Sequence, residues 1–227
     1  MRGAHLRTEL TYVTAGAVAA VILAGALPAN ADEGEPGEVL VATVAEAVPE
    51  LVEDAVHLAN TTSGVEAVLE NGEVSLPESS NEPIQVEAAD GAEFSFTLPE
   101  AGSSEAGVSD GAASYDHGDG SSSVVLVNPD ASVTITSVIE GPDAPSTFSY
   151  EYDVTLEQFE DGGVVGYDAA GELAVTIALP WALDANGNKV DTWYPVAGNT
   201  LTQHVAHRAE GVAYPVVADP LNYGRAL

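Results

Sequence analysis

The chain has 227 residues, no cysteine, and 36 acids against five Lys and Arg, for a formal net charge of −31. The missing thiols exclude a disulfide framework, thiol catalysis, cysteine metal centres and a lipidated cysteine anchor. The charge excludes nucleic acid and anionic membrane surfaces as partners; its plainest reading is a solvated acidic surface, and it is compatible with a cationic protein, a cell-wall glycan or calcium.

Residues 1–31 read as a secretory signal. Arg2 and Arg7 form a short basic start, Thr11 to Leu27 are apolar or small, and Ala29-Asn30-Ala31 supplies the small residues of a cleavage site. Removing these 31 residues leaves 196; they hold one acid and two bases, so 35 acids remain against Lys189, Arg208 and Arg225, a net charge of −32. The expectation is a secreted protein, free or held at the cell wall, with no membrane contact after cleavage. Its length suits one all-β domain or one domain with a small appendage.

Residues 32–38 are charged and punctuated by Pro and Gly, which predicts a disordered leader. Leu40, Val44, Val48, Leu51, Ala55 and Leu58 then recur at intervals of three or four. Pro49 cannot sit inside one continuous helix, so the spacing predicts a short helix over 49–59 that opens on Pro49, with room for another before it.

Beyond residue 62 the period changes to two. Asn71-Gly72 predicts a hairpin turn between 65 and 76. The device repeats with Ile84 and Val86, a turn at Asp90-Gly91, and Phe94, Phe96 and Leu98 on one face. Residues 99–111 contain few apolar side chains and read as a long loop or an internal boundary. Two runs flank Asn128–Asp130. Phe148, Tyr150 and Tyr152 alternate with polar residues; Leu173, Val175, Ile177 and Leu179 follow a turn at 169–171; Leu201, Gln203 and Val205 share a face. Val212, Tyr214 and Val216 predict a last strand over 211–217, placed at a sheet edge because Pro215 lacks a donor. Pro220 ends it.

The predicted fold is mainly β, an antiparallel β-sandwich or open barrel with a short N-terminal helical segment and outer faces in water. The segments are the signal (1–31), an acidic helical stretch (32–62), hairpins (63–98), a loop or linker (99–111), the main β domain (112–220) and a short tail (221–227).

Catalytic motifs are missing: the sequence has no nucleophile elbow, zinc-protease helix, phosphate-binding glycine loop or dinucleotide fingerprint. Ser121–Ser123 lies close to His117, but His117–Ser123 reads as a polar loop. So many carboxylates make any one pair uninformative, although paired carboxylates are what a secreted hydrolase would use. His204 and His207, three apart on a strand, point to opposite faces and cannot share an ion without a bulge. Asp184, Asn186 and Asn188 alternate as calcium ligands do at the start of a loop, yet Lys189 stands at position six and Pro195 at position twelve, so the loop also reads as a turn built on Asn186-Gly187. Residues 116–120 form another oxygen-rich loop. Trp181, Trp193, Tyr194 and Tyr214 could stack on sugar rings or simply fill a β core.

Three C-terminal elements carry a resemblance. They are Pro180–Gly187 (P-W-A-x-D-A-x-G), Gly198–Arg208 (G-N-x-L-x-Q-x-V-x-H-R) and Tyr214–Pro220 (Y-P-V-V-A-D-P), preceded within 138–154 by D-A-P-x-x-[FY]-x-Y. Together they resemble exported actinobacterial proteins of uncharacterised function, over roughly the C-terminal half of the mature chain. The resemblance implies an exported β protein and brings no activity with it. In such proteins a variable segment commonly follows the last element, whereas seven residues follow it here.

The resulting expectation is a non-catalytic extracellular interaction or presentation module. The alternatives are a calcium- or glycan-binding wall-associated module and a secreted hydrolase using paired carboxylates. The candidate calcium ligands are Asp184, Asn186 and Asn188; the candidate ligand-binding aromatics are Trp181, Trp193, Tyr194 and Tyr214.

Overall fold

The alternating apolar pattern builds two antiparallel layers that close on one another. In the computed structural model, which describes residues 36–60, 64–88, 91–99, 104–109 and 111–224, the first layer starts as a meander. It runs through β1 (Ala59–Asn60), β2 (Val65–Leu69), β3 (Gly72–Leu76), β4 (Ile84–Ala88) and β5 (Glu93–Phe96), in that spatial order. The expected signal segment (1–31), residues 32–35, Asp90 and Arg225 lie outside the described residues.

The chain then crosses to the second layer. It lays down β6 (Gly107–Ser109), β7 (Ala112–Asp116), β8 (Ser121–Val127) and β9 (Val133–Ile139), and returns to the first with β10 (Thr147–Glu151). A bridge between Phe96 and Tyr152 and a hydrogen bond from the Thr97 amide to the Glu151 carbonyl join β5 to the end of β10. The first layer therefore continues into a smaller sheet, completed by β15 (Thr192–Trp193), β16 (Val196–Ala197) and β17 (Thr200–Val205). The second layer is completed by β11 (Thr155–Gln158), β12 (Val164–Tyr167), β13 (Leu173–Ile177), β14 (Trp181–Leu183), β18 (Val216–Asp219) and β19 (Leu221–Gly224). One core unites the layers: Val74, Ile84, Phe94 and Phe96 from the meander pack with Tyr115, Val125 and Ile135 of the second layer and with Phe148, Tyr150 and Leu201 of the small sheet. The fold is mainly β, antiparallel, with short helices at its N-terminal end.

Several expectations need correction. The main helix is α1 (Pro36–Ala47), so residues 36–38 are its first turn and not a loose leader; α2 (Pro49–Glu53) opens on Pro49 as predicted but stops early. α1 owes its place to tertiary packing, since Val41 and Val44 bury against Ala112, Val124, Leu126 and Val138. That helix covers the outer face of β7–β9, so every residue of β8 and β9 is buried and this part of the sheet does not face water.

The hairpin turn falls on Glu70–Asn71, with Leu69 opposite Gly72. Gly72 instead allows β4 to approach: a Cβ there would lie 2.2 Å from the Glu87 carbonyl oxygen. Within 99–111, β6 pairs with β7, and the strands on both sides share one core, so this segment is no boundary. Ser121–Ser123 belongs to β8 and not to a loop.

The predicted last strand, found as β18, is neither last nor an edge: after Pro220 the chain continues as β19, paired with β13 and β9, where a tail was expected. Val217 stands opposite Val138 of β9 on one side and Leu183 of β14 on the other. Pairing starts after Pro215, so the proline removes no ladder donor, and all four residues of β18 are buried as a central strand requires.

Candidate functional site

Four constellations bring polar or aromatic side chains together, and the fold treats them very differently.

The β7–β8 hairpin places His117 against Ser123, with Nε2 and Oγ 2.8 Å apart. Asp119 is occupied by the turn, accepting from the Ser121 amide at 3.0 Å and hydroxyl at 2.6 Å, and Asp116 accepts from the Gly118 amide. Ser123 is completely buried, and His117 nearly so with Nδ1 lacking a partner. Burial pushes the imidazole below its ordinary range, against the opposing pull of Asp119 and Asp116. A nucleophile needs an approach path; Ser123 is enclosed on all sides, and the pair is a packed hydrogen bond.

The loop at 184–188 is held by its own carboxylate. Asp184 Oδ1 accepts from the amides of Asn186 and Asn188, at 2.9 and 2.8 Å, and Oδ2 from the Asn188 side-chain amide and the Ala213 amide. Burial works to raise the Asp184 pKa, but these donors outweigh it and hold the carboxyl below its ordinary value. Asn188 thus points its NH2 at Asp184, and the Asp184 carboxylate builds a turn from the Asn186 and Asn188 amides. Among the described residues, no group of three or more His, Asp or Glu side chains is arranged to hold a metal ion.

The third constellation lies inside the sandwich. Trp181 of β14 and Asp219 of β18 are register partners, and the indole Nε1 donates to Asp219 Oδ2 at 2.9 Å. Tyr194 donates its hydroxyl to the Asp219 carbonyl at 3.1 Å, and Tyr150 pairs with Ser137 at 3.2 Å. Asp219 Oδ1 has no hydrogen bond of normal geometry. Burial without a cation drives this carboxyl up to about 8, despite the Trp181 donor and the nearby Ile135 amide. Asp219 was missed in the sequence, although one acid at the end of the apolar run Val216–Ala218 is the mark of a buried carboxyl.

The fourth is a surface. Trp193 and His204 are register partners of β15 and β17 on the outward face, their rings 5.1 Å apart and 10° from parallel. Trp193 remains 51% exposed. The pair borders a shallow depression of about 400 Å³, shared with Ser146, Ala206, Arg208 and Ala209. Arg208 is fixed beside it, donating to the carbonyls of Pro142 (2.8 Å) and Ala144 (2.5 Å) and to the Ser146 hydroxyl (3.4 Å).

No protein-family model, curated protein or solved structure matches this chain. Its site is therefore read from its own geometry. The four aromatics singled out in the sequence do not form one strip: Trp181 and Tyr194 serve Asp219, while Tyr214 donates to the His207 carbonyl at 2.8 Å and meets the His207 ring edge-on. Only Trp193 of the four is exposed. The two histidines separate, but not by strand alternation, because β17 ends at Val205 before His207. His204 lies half-buried in the surface stack, and His207 is buried beyond the strand end, where desolvation and then Arg208 push its pKa down. Among the described residues, no helix is long and apolar enough to cross a membrane.

Proposed function

We propose that this chain is an exported, non-catalytic interaction module whose contact surface is the Trp193–His204 shelf. One observation carries the reading: the reactive-looking groups, Ser123, His117, His207 and Asp219, are enclosed in packing, whereas Trp193 is held flat and half-exposed on a depression. A rigid, solvent-facing aromatic concentrates contact area at small entropic cost, which is why such residues anchor binding surfaces. The signal-like residues 1–31 and the resemblance to exported actinobacterial proteins support an extracellular setting.

The test is retention on isolated cell envelope. Wild type is expected to sediment with envelope and Trp193→Ala to remain in solution with an unchanged melting curve; equal sedimentation of both removes the shelf from the reading. Hydrolysis of chromogenic esters or glycosides by the purified protein would replace the module with an enzyme.

A further inference from the structure

The two faces of β8 and β9 treat their hydroxyls differently. Val125 and Ile135 belong to the main core, and every serine that alternates with them has a partner: Ser121 with Asp119, Ser123 with His117, Ser137 with Tyr150. Val124, Leu126 and Val138 belong to the face packed by α1. Strand alternation puts Ser122 and Thr136 on that same face, beside Val138 and Val124, their register partners. Both hydroxyls are buried there without a hydrogen bond. Such groups are costly while covered and are satisfied as soon as water reaches them.

The helices hold this face weakly. Val41 and Val44 are the only buried residues of the twelve in α1, and α2 has none. Neither helix carries a basic residue, and Glu46 sits in the last turn of α1, at the negative end of the helix dipole. A helix this short depends on its packing to persist. Its cluster is also separate from the main core. The attachment changes abruptly after α2. Ala55 still packs with the helix cluster, whereas Val56 and Leu58 pack on the main core, and the Val56 amide donates to the Val127 carbonyl at 2.8 Å.

We propose that α1 and α2 form a hinged cover that lifts from β7–β9 as a unit, turning at Ala55–Val56, while the two layers stay folded. Lifting brings water to Ser122 and Thr136 and uncovers the strip of Val124, Leu126 and Val138.

The chain has no cysteine, so single-cysteine variants of the full protein report on this directly. Val124 and Val125 are neighbours on β8, both completely buried, on opposite faces. With each rate set against the variant's own urea midpoint, DTNB should label Val124→Cys at least tenfold faster than Val125→Cys. The Val124→Cys rate should barely change in low urea, and the Val125→Cys rate should rise steeply, as global unfolding does. Adding Val44→Asp should speed Val124→Cys at least another tenfold and leave Val125→Cys within twofold. Equal rates with equal urea slopes overturn the proposal, and so does a Val44→Asp change that accelerates both positions alike, since the helices would then open only with the whole fold.

Discussion

The Trp181 indole donates to the Asp219 carboxyl at 2.9 Å across the paired strands β14 and β18, and no Lys or Arg accompanies the acid. A carboxylate without a counter-charge is costly in such a place, so the folded state retains the proton. Tyr150, Tyr152 and Tyr194 are the other titratable groups facing this region, and the Asp219 charge helps raise both Tyr150 and Tyr194.

The sign of the pH dependence follows. Asp219 titrates near 8 when folded and at the ordinary carboxyl value when unfolded. Its contribution is fully present below about pH 4 and is lost as pH rises through about 8, with a slope reaching about 1.4 kcal/mol per pH unit. Urea unfolding at pH 5, 7 and 9 should show this decline, and Asp219→Asn should flatten it. An identical decline in the variant would assign it to other groups.

His117 acts in the opposite direction. Its folded pKa lies below the ordinary value, so its contribution is present above about pH 6.5 and is lost as pH falls, when the unfolded chain takes up the proton first. Ser123→Ala removes the partner of a buried ring nitrogen and should cost about 1–3 kcal/mol. Unfolding midpoints of the variant at pH 7 provide the check.

Gly166 of β12 sits where a Cβ would come within 2.6 Å of both Val154 Cγ2 and Val175 Cγ1. Both valines are buried, with little room to withdraw. Gly166→Ala should therefore destabilise by about 1–3 kcal/mol through overpacking, read as a lower thermal midpoint.

Glu73, Glu87 and Glu93 stand directly opposite one another across β3, β4 and β5 on the exposed face. Like charges in register repel by a few tenths to about 1 kcal/mol per pair. Glu87→Gln should raise the thermal midpoint at low ionic strength, and the gain should shrink in 1 M salt, where screening acts on wild type as well.

The sequence made the β elements legible wherever one face met the core. Phe148, Tyr150 and Tyr152, and likewise Leu201, Gln203 and Val205, are buried as their spacing predicts, because a half-buried strand writes its orientation into a period of two. The candidate site was less legible. Trp193 was singled out with three other aromatics, and nothing local distinguishes the exposed one from those that serve Asp219. His204 carried no sign that it would meet Trp193, since cross-strand register is set by a loop and by the core on the opposite face.

By itself, the amino-acid order determined the acidic surface, the absence of thiol chemistry, the signal-like start and the antiparallel β class, all of which depend on composition or short-range period. Tertiary structure alone decided which strands are central, where the helix packs and which aromatic meets solvent. Val216–Asp219 shows why: Pro215 suggested an edge, but pairing begins one residue later, between β9 and β14, and only those two neighbours place Asp219 in the interior and beside Trp181. Register and the choice of central strand belong to partners distant in the chain, and no local pattern records them.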